Sequence, residues 1–104
     1  MNSYCYRVTV EKLSDAKGDP LHGESLSFYA ANHDDILAIV EKLQTKFPLL
    51  NAGSVASLGV GLKLFSEVAL VQRNYPIFAN IRPALSEFIQ QLKQDSAAIN
   101  YADA

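Results

Sequence analysis

His33, Asp34 and Asp35 come nearest, by type and spacing, to a set of residues that could do chemistry. A neutral imidazole and two adjacent carboxylates can hold a divalent cation, or the carboxylates can serve as a base at the start of a helix. A helix N-terminus asks for the same residues on other grounds. Asn32 is a good cap, and two carboxylates in the first turn complement the positive end of the helix dipole. A metal centre needs a third and fourth ligand from elsewhere, and the sequence does not supply their position. His22 is the other histidine and lies in a turn-rich segment. Capping is therefore the stronger reading, with His33, Asp34, Asp35 and His22 as the candidate metal or catalytic set.

Other candidates are weaker. Gly59-Val60-Gly61-Leu62-Lys63 has glycines before a lysine, but lacks both the spacing of a phosphate-binding loop and the Lys-Ser/Thr pair. Packing explains these glycines better. Cys5, the single cysteine, excludes an internal disulfide and a cysteine-rich zinc site, and no partner base is identifiable for it. Ser54, Ser57 and Ser66 lack the nucleophile-elbow sequence. Tyr4, Tyr6 and Phe28 could form a base-stacking platform, but they occupy the apolar face of their strands and are expected in the core. No catalytic residue, cofactor-binding residue or cofactor is assigned.

The elements that would position these residues follow from periodicity. From Tyr4 to Glu11, Tyr4, Tyr6, Val8 and Val10 alternate with Cys5, Arg7, Thr9 and Glu11, as in a strand with one buried face. Ser14 to Glu24 gathers turn formers and charges into a loop longer than a tight hairpin turn. Ser25 to Ala31 alternates again, which predicts a long-looped antiparallel hairpin with Tyr29 across from Arg7 or Thr9 on the outer face. Ile36, Ile39, Val40, Leu43 and Phe47 then recur at helical spacing, with Leu37 beside them. Lys42 and Lys46 lie in the closing turns, and Pro48 stops the helix. Ile81, Leu85, Phe88, Ile89 and Leu92 mark a last helix, expected to open near Arg82-Pro83. Asn74-Tyr75-Pro76 reads as a break before it, with Ile77 and Phe78 in an irregular segment.

The stretch Ser57 to Arg73 decides the architecture. As a helix it puts Leu58, Leu62, Phe65, Val68 and Ala69 on one arc, continued by Val60, Leu64 and Val71. Lys63, Ser66 and Glu67 lie opposite, with Leu70 among them. As a strand it alternates from Val60 to Leu70, broken at Ser66, and avoids two glycines inside a helix. The pattern outlasts a usual strand, so helix is the stronger reading, with Ser54 as its N-cap. The expected fold is α+β, an N-terminal antiparallel hairpin followed by three helices near 33–47, 54–73 and 82–94. The alternative is a β-β-α-β-α order with part of 60–71 in the sheet.

The segments YRVTVEKL, FYAANHDDILAIVEKL, SLGVGLKLFSEVAL and NYPIFANIRPALSEFIQQLK, in that order, resemble a small bacterial family known as a domain of unknown function. The resemblance covers nearly the whole chain apart from the tail. It implies a compact bacterial single-domain protein and brings no activity, cofactor or catalytic residue with it.

At 104 residues and 49% hydrophobic, the chain has material for one core, expected over 1–94, with 95–104 as a loosely held tail. A net charge of −2 with no basic run gives no electrostatic case for nucleic acid or an anionic membrane surface. The N-terminus lacks the charge-then-apolar order of a signal peptide, and no apolar run reaches about 18 residues, so a cytoplasmic location is expected. A two-stranded ribbon leaves both edges unpaired. The expected role is accordingly a non-enzymatic interaction or regulatory module. Its partner would be a second copy, meeting it through a sheet edge or an apolar face, or another protein. A small metal-binding protein or enzyme is the alternative.

Overall fold

The computed structural model describes residues 2–94. The expected tail from 95 onward lies outside the described residues. An antiparallel hairpin is followed by three helices in an α+β fold, and the central apolar stretch is helical. The chain divides into two compact units, one ending at Asp34 and one beginning at Asp35.

The first unit is built on β1 (Tyr4–Glu11) and β2 (Ser25–Asn32), paired without a bulge from Tyr4 opposite Asn32 to Glu11 opposite Ser25. Directly opposed residues share a face. Tyr4, Tyr6, Val8 and Val10 therefore lie with Leu26, Phe28, Ala30 and Asn32. Arg7 faces Tyr29, its guanidinium carbon 5.7 Å from the ring centre, and the Thr9 and Ser27 hydroxyls hydrogen-bond at 2.9 Å. The connecting loop continues the ladder. The Lys12 N–H donates to the Glu24 carbonyl, the Leu21 N–H donates to the Leu13 carbonyl, and Lys12 pairs with Glu24 at 2.6 Å. The tip turns where the Asp15 carboxylate accepts from the Lys17 and Asp19 N–H groups, with Gly18 at φ +96°. The apolar face is more open than its composition suggests. Tyr4 is 50% and Phe28 40% exposed, whereas both were expected in the core. The hairpin unit has no helix of its own to lay over that face.

The second unit holds α1 (Ile36–Lys46), α2 (Ala52–Val71) and α3 (Pro76–Lys93). Each helix start has a local cause that differs from the expected one. Asp35, not Asn32, caps α1, because its carboxylate reaches the Ala38 N–H at 3.2 Å. Asn51, not Ser54, caps α2, its side-chain oxygen accepting from the Ser54 N–H at 2.8 Å. The last helix opens at Pro76, a position whose missing N–H has no helical partner to lose. Ile77 and Phe78 are therefore helical, and Pro83, expected at the start, lies in the interior.

The buried side of α2 also departs from the expected arc. Val55, Gly59, Ser66 and Ala69 are buried, while Phe65 and Val68 stay about half exposed. Small residues let the helix axes approach. A Cβ on Gly59 would stand 2.9 Å from Val40 Cγ2 and 3.2 Å from Leu43 Cδ1 of α1. Ser66, expected among solvent-facing polar residues, is accommodated by a local hydrogen bond to the Lys63 carbonyl at 3.4 Å. The Lys46 ammonium of α1 donates to the carbonyls of Leu92 and Gln94, where α3 ends. It thus supplies donors to carbonyls that lack a partner within the helix.

Candidate functional site

The structure gives the candidate residues separate local roles. Asp35 is committed to its cap. Asp34 is held through its backbone, with its N–H donating to the buried Asn32 side-chain oxygen at 3.0 Å and its carbonyl accepting from the Tyr6 hydroxyl at 2.7 Å. Asn32 therefore works one turn earlier than expected, shaping the exit of β2 rather than the start of α1. His33 lines an open depression of about 300 Å³ with Asn2, Ser3 and Tyr4. His22 precedes β2 and His33 follows it. At about 3.4 Å per residue the strand ends lie roughly 24 Å apart, so the two imidazoles are not brought together. Among the described residues no group of three or more His, Cys, Asp or Glu side chains is placed to share a metal ion.

The remaining candidates lie in α2 and on the hairpin. Gly59 serves the α1–α2 contact, and Gly61 faces open space. Ser54 and Ser66 sit inside α2. Cys5 is exposed on the outer face of the hairpin, opposite Ala31.

What the hairpin does assemble is a surface. Val10 and Leu26 face one another and are 60% and 62% exposed. Phe28 and Tyr4 continue that face. Exposed large apolar side chains scattered singly are ordinary, but Val10, Leu26 and Phe28 are neighbours on one face of the ribbon, and such groups mark interaction sites. The signal was present in the alternation of both strands. Alternation alone places that face in the core, because an apolar strand face is ordinarily a covered one.

Helix α2 is apolar on nearly every side, and by length and composition it is long and apolar enough to cross a membrane. That differs from the expectation drawn from uninterrupted apolar runs. Lys63 and Glu67 interrupt the run without lowering its mean hydropathy of 1.5 below that of a spanning segment.

Comparison with known proteins gives a family and no activity. No curated protein matches this chain. A crystal structure of a protein of unknown function from Pectobacterium atrosepticum is similar, with 31% identity, a TM-score of 0.77, and coverage of 90% of this chain and all of that one. A family model described as a domain of unknown function with a solved structure, DUF3861, matches residues 4–94, the span of the hairpin and all three helices. The chain belongs to the DUF3861 family.

Proposed function

We propose that this protein is a non-enzymatic interaction module whose binding element is the N-terminal hairpin. The observation that carries the reading is the exposed apolar face made by Tyr4, Val10, Leu26 and Phe28 on a ribbon of two strands. Among the described residues the sheet has two strands, and such a ribbon gains little from its own packing while its outer edges carry no third strand. Both features favour a protein partner, which covers apolar side chains and extends the sheet.

The test is retention of a partner by the full chain. Immobilised wild-type protein is compared with the Val10→Ser/Leu26→Ser variant, using both purified protein and a bacterial lysate as the source of partner. Retention by the wild type and loss by the variant, with circular dichroism unchanged, supports the reading. Equal retention by both proteins, or by neither, defeats it.

A further inference from the structure

Resting on that reading, we propose that the partner is a second copy of this chain, joined antiparallel along the outer edge of β1 about a twofold axis at Thr9. Three observations on that strand point to this geometry. Arg7 and Glu11 carry opposite charges on the same face, equally spaced on either side of Thr9. Among the described residues Glu11 has no ion pair, and Arg7 touches the Tyr29 ring but no carboxylate. The strand runs eight residues without a bulge or a proline, so its edge is regular enough to pair.

A twofold axis normal to the sheet preserves which face each residue occupies, so a residue meets one on its own face. With the axis at Thr9, Arg7 of each copy stands opposite Glu11 of the other, and the two threonines face each other. On the apolar side Val8 meets Val10. Opposite charges, paired threonines and β-branched neighbours are all favourable cross-strand partners. Moving the axis by one residue to Val8 sets Arg7 against Thr9 and Glu11 against Cys5, and the charge match is lost. Charge therefore specifies the register as well as the partner. The edge of β2 has no comparable device. Ser25–Asn32 contains no charged residue, so nothing in its charge pattern sets one alignment above its neighbours. The product is a four-stranded sheet in the order β2-β1-β1-β2, with the two apolar faces merged into one. Such a sheet passes the threshold at which a β-ribbon becomes independently stable.

A charge swap tests this. Sedimentation equilibrium at low salt is run on the full chain as wild type, Arg7→Glu, Glu11→Arg and the double variant. The wild type is expected to dimerise. Each single variant sets like charges together twice per dimer and raises Kd on the order of tenfold or more. The double variant regains the wild-type value, which also shows that it folds. Added salt weakens the wild-type dimer. Thr9→Lys, which places two ammonium groups on the axis, abolishes it, while Ser27→Lys on β2 does not. A wild type that stays monomeric at high micromolar concentration overturns the proposal. So does a dimer indifferent to the swap, or one lost through Ser27→Lys alone. If the wild type is monomeric but still retains a lysate protein that the Val10→Ser/Leu26→Ser variant loses, the interaction reading stands and only the second copy is wrong.

Discussion

A carboxylate at a helix start can serve as a cap or as a ligand, and Asp35 separates the two by what a substitution costs. Its side chain satisfies the Ala38 N–H, so Asp35→Ala is expected to destabilise the protein by about 1 kcal/mol, and Asp35→Ser to recover most of that. Thermal melts of the three proteins, with and without a divalent cation, decide it. A ligand role would give a cation-dependent shift in the wild type that Asp35→Ser does not share. Two of the three glycines of α2, Gly59 and Gly61, offer a second contrast. Gly61 meets nothing within 4 Å, so Gly61→Ala is expected to gain up to about 1 kcal/mol from helix propensity. Gly59→Ala gains the same propensity but drives a methyl into Val40, a stiff β-branched neighbour, and is expected to lose about 1–3 kcal/mol to overpacking. Urea denaturation of both variants should place them on opposite sides of the wild type. Cys5 is exposed, so a thiol reagent should modify it without denaturant.

At the scale of elements, periodicity identified every strand and helix and misplaced chiefly the starts of α1 and α3. The hairpin, the α1 stripe and the α3 stripe each carry a clear alternation or a helical repeat. The boundaries shifted because capping is decided by which side chain reaches which N–H. Asn32, Asp34 and Asp35 are all competent caps in sequence, and only the geometry selects Asp35. Pro76 and Pro83 posed the same ambiguity, since either suits a first turn. The interior choice has a cost, because Pro83 cannot donate to the Ala79 carbonyl one turn back. Pro83→Ala restores that donor and is expected to raise stability by roughly 1 kcal/mol, read as a higher Tm. The buried side of α2 was illegible for a different reason. A helix apolar all round has no preferred face until its neighbours are known, and side-chain volume, rather than hydrophobicity, selected Gly59, Ser66 and Ala69.

For the molecule as a whole, the candidate site was legible only as a list of residue types. Separation along β2 keeps His22 from His33, a consequence of hairpin topology that local spacing does not reveal. The apolar face of the hairpin is visible in the sequence, but alternation reports a shared face and not what covers it. Helix α2 raises a whole-molecule question of its own, because its composition suits a bilayer while Lys63 and Glu67 sit within it. Each charge at mid-bilayer costs several kcal/mol, so the protein is expected to stay in the supernatant when sedimented with neutral vesicles. Pelleting would instead identify α2 as a lipid-seeking segment. The near-contact at Gly59 also reaches beyond this one chain. In relatives that share the fold, positions 40 and 59 should trade volume. Where evolution has put alanine or serine at 59, the residue at 40 should have shrunk in step, leaving a correlated pair that a comparison of family sequences would expose.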